Sequence, residues 1–184
     1  MKVIETFIKG LVVIEPTVFA DKRGYFFESF NEKQFTDLGL NYKFIQDNES
    51  KSTYGVIRGL HYQLEPYAQA KLVRVLQGSV FDVAVDIRKG SPTFGKWFGQ
   101  ELNSENKLQL LIPRGFAHGF SVLSETAVFI YKCDELYNKD AEHGINLFDK
   151  SLSIDWKIDT NKNVISEKDK MQPSFNNAEY NFIY

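Results

Sequence analysis

Short runs in which apolar and polar residues alternate dominate this chain, and turns containing glycine or proline separate them. In the run 80–88, apolar side chains occupy every second position from Phe81 onwards, a period of two that is typical of β-strands with one buried face. Similar alternation recurs at 71–75, 108–112 and 129–133. Many short strands joined by turns predict an all-β sandwich or barrel.

Few segments have helical character. Asn31 and Gln34 have the spacing of a capping box, and Gly39 follows an apolar stripe, so the pattern predicts one short helix over 31–38. A second short helix is predicted to begin at Ser166.

Composition limits the classes of function. The 184 residues suffice for one domain, and without a repeat or linker they predict a single domain over 1–184. A net charge of −2 offers no basic surface for nucleic acid or anionic lipid. No apolar run is long enough to cross a bilayer and no signal peptide is evident. The single cysteine, Cys133, excludes an intramolecular disulfide, so we expect a cytoplasmic protein with no membrane partner.

Two of the three histidines lie in glycine-flanked, strand-like segments that resemble the paired motifs of cupins, which are small β-barrels. These are His61 and His118. Metal-binding cupins supply two histidines and a glutamate from the first motif, but here Gln63 takes the second histidine position and Tyr67 or Ala68 the glutamate position. A neutral amide is a poor ligand for a transition metal, so we expect no metal.

Three side chains carry both a chemical and a structural interpretation. His61 suits a general base because imidazole titrates near neutral pH, but a histidine bonded to a backbone carbonyl is the alternative. Tyr131 shares its predicted face with Phe129, which fits plain packing. Asp169 lies three residues after Ser166, so the alternative to a chemical role is that it caps a helix.

Lys71 is the residue whose direction matters most. If it shares the inner face with Val73 and Val75, it lies in the lumen, where its charge could stabilise a substrate anion. If Leu72 and Leu76 mark the inner face, Lys71 is exposed. Periodicity alone leaves both arrangements open.

Together these segments resemble the dTDP-4-dehydrorhamnose 3,5-epimerase family, which are metal-independent cupins. The resemblance runs almost end to end through blocks at 19–24, 46–48, 58–61, 71–74, 115–120, 131–132 and 166–169. It implies a cupin-type jelly-roll barrel with a few short helices and no cofactor.

The resemblance also implies roles. His61 resembles the family's general base, Asp169 the carboxylate that orients it, Tyr131 the acid on the opposite sugar face and Lys71 the cation that stabilises the enolate. Residues in contact with the substrate are implied at Arg23, Glu28, Gln46, Asp47, Asn48, Arg58, His118, Glu142 and Lys168. The 23–28 segment is donated across a homodimer in the family, by N-terminal strand exchange; taken alone it also fits an ordinary amphipathic strand.

The implied reaction is epimerisation of dTDP-4-dehydro-6-deoxy-D-glucose at C3 and C5 to dTDP-4-dehydro-L-rhamnose. The alternatives are a single-site epimerase on a related nucleotide sugar, a cupin that binds sugar nucleotides without catalysis, and a metal-dependent cupin. Gln63 argues against the last of these.

Overall fold

The structure is a computed structural model that describes residues 1–184 apart from the side chain of Thr160. The described chain forms thirteen strands, two short α-helices and three 3₁₀ turns. The strands are β1 Lys2–Glu5, β2 Val12–Glu15, β3 Phe19–Asp21, β4 Gly24–Phe26, β5 Gln46–Thr53, β6 Ile57–Gln63, β7 Lys71–Gln77, β8 Ser79–Asp86, β9 Trp97–Asn103, β10 Gln109–Ile112, β11 Phe116–Val122, β12 Thr126–Cys133 and β13 Glu142–Gly144. The helices are α1 Glu32–Asp37 and α2 Glu167–Lys170.

Two antiparallel sheets form the body of the molecule. One has six strands in the order β1-β2-β10-β7-β12-β5, and the other has five in the order β13-β6-β11-β8-β9. Strands β3 and β4 form a separate hairpin. Since neighbours in each sheet are often distant in sequence, the arrangement is the jelly-roll type that the cupin resemblance predicts, and the all-β prediction is confirmed.

The core between the sheets comes from the alternation seen in the sequence. Val73 and Val75 of β7 pack with Leu110 and Ile112 of β10 and with Phe129 of β12 in one buried cluster. Leu72, on the opposite face of β7, belongs to a different cluster on the outer side of the six-stranded sheet. The residues predicted to share a face therefore do so, and the structure decides that the inner face of β7 is the one with Val73 and Val75.

Strand β8 differs from its prediction, because both of its faces are buried. Asp82 and Ala84 on one face are 0% exposed, and so is Val83 on the other. The region 145–182 covers the outer face of the five-stranded sheet and packs its apolar side chains there. The prediction of one buried face for 80–88 is wrong because alternation does not show what a distant segment covers.

Both helices begin as predicted. The side chain of Asn31 accepts a hydrogen bond from the backbone N–H of Gln34, and that of Ser166 accepts one from the N–H of Asp169. Only one half of the predicted capping box forms at α1, because the side-chain amide of Gln34 donates to Glu28 and not back to Asn31. Within the described residues, no helix is long and apolar enough to cross a membrane.

Candidate active site

A cavity of about 560 Å³ opens between the two sheets, a size that suits a small-molecule ligand. Its walls come from β5, β6, β7, β11, β12 and the segment 164–169. The polar side chains among its lining residues are Asn48, Glu49, Ser50, Arg58, His61, Lys71, His118, Tyr131, Ser166, Lys168 and Asp169. The lining therefore joins predicted site residues that are far apart in the sequence.

A histidine–carboxylate dyad stands on the wall made by the five-stranded sheet. His61 Nε2 lies 2.6 Å from Asp169 Oδ1, and the Asp169 side chain is only 5% exposed. Burial opposes ionisation of Asp169, but hydrogen bonds to His61, Ser166 and the Gly59 N–H outweigh burial and lower the pKa of the carboxyl. Because a carboxylate only accepts, Nε2 carries a proton and Nδ1 remains to accept one.

Asp169 takes part in the helix cap through its backbone and in the dyad through its side chain. Its backbone N–H bonds to the Ser166 side chain at the start of α2, while its carboxylate bonds to His61. The capping role predicted from the sequence and the orienting role implied by the resemblance use different atoms. The two roles are therefore compatible.

A second histidine stands directly beside the first. His118 on β11 is the register partner of His61 on β6. Its Nε2 lies 2.9 Å from the carboxylate of Asp82, and the side chains are 8% and 0% exposed. The ring of Phe129 is nearly parallel to that of His118, with centroids 6.1 Å apart.

Lys71 and Tyr131 occupy the wall made by the six-stranded sheet. Lys71 shares its face with Val73, so of the two arrangements left open by the sequence the structure has the one with Lys71 in the lumen. Its Nζ lies 5.8 Å from the centre of the Tyr131 ring. Burial favours the neutral form of a titratable side chain. It therefore lowers the pKa of Lys71 and raises the pKa of Tyr131.

The cavity also carries positive charge that suits an anionic ligand. Arg58 donates from Nε to the Ser52 hydroxyl at 3.1 Å. Lys168 Nζ lies 2.5 Å from the carboxylate of Glu142. Burial opposes ionisation of Glu142, but bonds to Lys168 and Tyr137 lower its pKa overall. With Lys71, these groups place three cationic side chains on the lining.

Two further predicted residues lie near the cavity, and one points away from it. Gln46 donates to the Asn48 side chain, which lines the cavity, and Glu142 reaches it through Lys168. Asp47 lies between Gln46 and Asn48 on β5, so its side chain projects from the other face and bonds to Lys132. The cavity lining does not include Asp47.

Arg23 and Glu28 also lie outside the cavity lining. Arg23 is paired with Asp21 at the tip of the β3–β4 hairpin, with 84% of its side chain exposed. Glu28 accepts hydrogen bonds from Asn31 and Gln34 beside α1. No contact among the described residues brings either side chain to His61.

Gln63, which takes a metal ligand's position in the first cupin motif, has a structural role here. Its amide donates to the carbonyls of Tyr67 and Leu136 and accepts from the N–H of Asn138. The side chain is buried and pins the 136–138 segment. Across the described residues, no group of three or more His, Cys, Asp or Glu side chains is placed to hold a metal ion.

Sequence reasoning missed two residues at this site. Asp82 bonds to His118, and alternation had suggested only that it opposes the apolar face of its strand. Tyr137 donates its hydroxyl to Glu142 and lies in a segment with no recognisable pattern. Because Asp82 falls on the face of its strand that alternation predicts to be exposed, the sequence carried no signal for its burial.

Comparison with known proteins identifies the family. The family model described as dTDP-4-dehydrorhamnose 3,5-epimerase matches residues 5–177. The chain belongs to this family. The dTDP-4-dehydrorhamnose 3,5-epimerase of Shigella flexneri is 56% identical over 98% of this chain and 99% of its own length. The predicted family is therefore confirmed.

Solved structures of family members agree with the fold. A dTDP-6-deoxy-D-glucose-3,5-epimerase from Legionella pneumophila, in complex with dTDP-4-keto-L-rhamnose, is 50% identical and superposes with a TM-score of 0.92 over 96% of this chain and 93% of its own. A 3'-monoepimerase from Streptomyces bikiniensis, in complex with dTDP-quinovose, is 31% identical with a TM-score of 0.87 over 93% and 86%. The same fold is thus found in proteins named for double and for single epimerisation.

Proposed function

We propose that this epimerase-family protein converts dTDP-4-dehydro-6-deoxy-D-glucose to dTDP-4-dehydro-L-rhamnose by inverting C3 and C5. The observation that carries the proposal is the division of the cavity. His61 lies on one sheet, with Asp169 bonded to it from α2, and Lys71 and Tyr131 lie on the facing sheet. Inversion at carbon needs a base on one face of the sugar and an acid on the other.

The dyad supplies the base. The C4 ketone acidifies the hydrogens on C3 and C5, and His61 Nδ1 takes one of these protons. Asp169, bonded to Nε2 at 2.6 Å, fixes the tautomer that leaves Nδ1 free and stabilises the imidazolium that forms. Proton transfer of this kind contributes roughly 10²–10⁴-fold to a rate.

The facing wall completes the inversion. Loss of the proton leaves an enolate whose charge lies largely on the C4 oxygen, and Lys71 stabilises that charge with its ammonium group. Tyr131, kept protonated because burial raises its pKa, returns a proton to the other face of the carbon. A second cycle at the other carbon gives the doubly inverted sugar.

The remaining predicted residues bind the nucleotide part of the substrate. Arg58 and Lys168 suit the diphosphate, since both are cations on the lining. Asn48 and His118 contact the sugar nucleotide from the same cavity, and Gln46 and Glu142 support them from its edge.

The active unit is a homodimer in which N-terminal strands reach the partner's cavity. The β3–β4 hairpin carries exposed aromatic rings, with Phe19 63% and Phe26 66% exposed, and such a surface is typical of an interaction site. Arg23 and Glu28 complete the neighbouring cavity, since neither reaches its own. The dimer also covers hairpin edges that are otherwise open.

Incubation with dTDP-4-dehydro-6-deoxy-D-glucose in D₂O, followed by NMR of the sugar, tests the reaction. We expect deuterium at both C3 and C5 with inversion at both. Label and inversion at one carbon would instead make the protein a single-site epimerase, like the related monoepimerase. No label at either carbon would contradict both assignments.

Two variants tie the exchange to the dyad. We expect His61→Asn to abolish deuterium uptake while the protein stays folded. His143→Asn is the matched control, because His143 lies outside the cavity lining and its Nδ1 donates to the carbonyl of Ala141. Full exchange in His61→Asn would contradict the mechanism.

A further inference from the structure

Asp82 is a buried carboxylate whose bonding points into the active site. It lies on β8 and is 0% exposed. Both of its oxygens accept from the same atom, His118 Nε2, at 3.1 and 2.9 Å. Burying a carboxylate is costly unless a partner satisfies it, so the bond to His118 is what makes Asp82 tolerable at this position.

The same strand provides a second buried carboxylate for comparison. Asp86 is also 0% exposed, but it bonds to Arg88, Ser91 and Thr93, which form the turn after β8. Those bonds explain Asp86 as a part of the fold. Asp82 takes no part in a turn, and its partner His118 lines the cavity.

The bond has a definite consequence for His118. A carboxylate cannot donate, so the shared Nε2 carries the proton, and Nδ1 is the ring nitrogen left for a ligand. Phe129, nearly parallel to the imidazole, further limits how the ring can turn. The edge of His118 that meets a substrate is therefore set by Asp82.

We propose that Asp82 is a positioning residue that fixes the tautomer and the ring orientation of His118, so that Nδ1 faces the sugar nucleotide. The inference rests on the function proposed above. The site then holds two histidine–carboxylate pairs whose histidines lie on adjacent strands, His61–Asp169 for proton abstraction and His118–Asp82 for substrate contact. Asp82 also acts on the facing wall. Burial lowers the pKa of Lys71, and nearby negative charges that include Asp82 work in the other direction.

The tautomer can be read directly, without any variant. The chain has three histidines, so ¹H–¹⁵N correlation spectra of the imidazole rings are simple to assign. We expect His118 to carry its proton on Nε2 in the wild-type protein. A neutral His118 protonated on Nδ1 instead would overturn the proposal.

Asp82→Asn then tests the role in turnover, with Asp86→Asn as the matched control. An amide can accept or donate, so we expect His118 to lose its single tautomer and kcat/KM to fall roughly 10- to 100-fold, the range for a lost charge-assisted hydrogen bond. Asp86→Asn should keep the His118 spectrum and the kcat/KM of its folded fraction. An unchanged His118 spectrum in Asp82→Asn, or equal losses of kcat/KM in both variants, would contradict the inference.

A double variant shows whether Asp82 acts through His118. We expect Asp82→Asn combined with His118→Ala to be no slower than His118→Ala alone, because the effect of Asp82 needs the imidazole. Additive losses would overturn the proposal. These readings require that the wild-type protein exchanges deuterium at C3 or C5; if it does not, the proposed function fails first, while the wild-type spectrum still decides the tautomer.

Discussion

His61 and Asp169 are 108 positions apart in the chain, yet His61 Nε2 and Asp169 Oδ1 lie 2.6 Å from each other. Two independent elements create this contact. Strand β6 carries the imidazole, and the four-residue helix α2, capped by Ser166, carries the carboxylate. The geometry of the base therefore depends on how the 166–170 segment docks against the five-stranded sheet.

The first prediction concerns the orienting carboxylate. We expect Asp169→Asn to lower kcat roughly 10- to 100-fold, because the amide neither fixes the His61 tautomer nor stabilises the imidazolium. Epimer formation followed by NMR measures the effect. Glu167→Gln is the control, since Glu167 lies in the same helix with 87% of its side chain exposed. Wild-type kcat in Asp169→Asn would exclude the orienting role.

The second prediction separates proton removal from proton return. We expect Tyr131→Phe to lower epimer formation roughly 10²–10⁴-fold but to retain deuterium exchange, because His61 can still abstract and return a proton on its own face. Tyr54→Phe serves as the control, as Tyr54 is not part of the cavity lining. Loss of exchange and inversion in parallel would show that Tyr131 does not act at the reprotonation step alone.

The third prediction is a loss of activity at alkaline pH. Burial lowers the pKa of Lys71 from its usual 10.5 and raises that of Tyr131 from its usual 10.0. As pH rises, Lys71 loses the charge that stabilises the enolate, so kcat/KM should begin to fall at a pH below 10.5. Lys71→Arg keeps its charge, so any activity it retains should lose this limb, whereas Lys132→Arg should keep it. If the alkaline fall in kcat/KM is unchanged in Lys71→Arg, it arises from the titration of another group, and the prediction is wrong.

The strands and their faces could largely be predicted from the sequence, because a period of two maps directly onto the two sides of a sheet. The direction of Lys71 could not be predicted, since apolar residues occupy both faces of β7: Val73 lies between the sheets and Leu72 lies outside them. Only the packing of the two sheets decides which face is the lumen.

Contacts over long distances in sequence were the main limit. Nothing in the spacing of His61 and Asp169 indicates that they meet, and only the family resemblance implied it. Asp82 was invisible for a related reason: its partner, His118, lies on a different strand, and the region 145–182 that buries the other face of β8 has no alternating pattern. The pairing of strands that are remote in sequence determines both contacts.

The fourth prediction concerns a glycine beneath the site. Gly59 has a φ of +129°, and a Cβ there would lie 2.5 Å from Gly119 Cα and 2.8 Å from the His118 carbonyl oxygen. We expect Gly59→Ala to lower the free energy of unfolding by about 2–4 kcal/mol through backbone strain and overpacking. It should also reduce activity, because it separates the strands that carry the two histidines.

Denaturant unfolding of Gly59→Ala and of a matched variant measures this effect. Gly90 also has a positive φ, of +85°, but a Cβ added there would have nothing within 4 Å of it. Gly90→Ala should therefore lose only about 1 kcal/mol, from the backbone conformation alone. Equal losses in the two variants would show that the contact with β11 costs nothing.

The last prediction tests whether the cavity is shared between protomers. Arg23→Ala should raise KM roughly 10- to 100-fold by removing a charge-assisted bond to the nucleotide, and His61→Asn should be inactive. In a heterodimer of the two, the cavity that keeps His61 receives Arg23 from the other protomer. After an equal mixture is dissociated and reassociated, about one quarter of all cavities should be intact if exchange is random. A kinetic component with wild-type KM should then appear that neither variant shows alone. If Arg23 served its own cavity, every cavity in the heterodimer would lack either Arg23 or His61, and the mixture would show no such component.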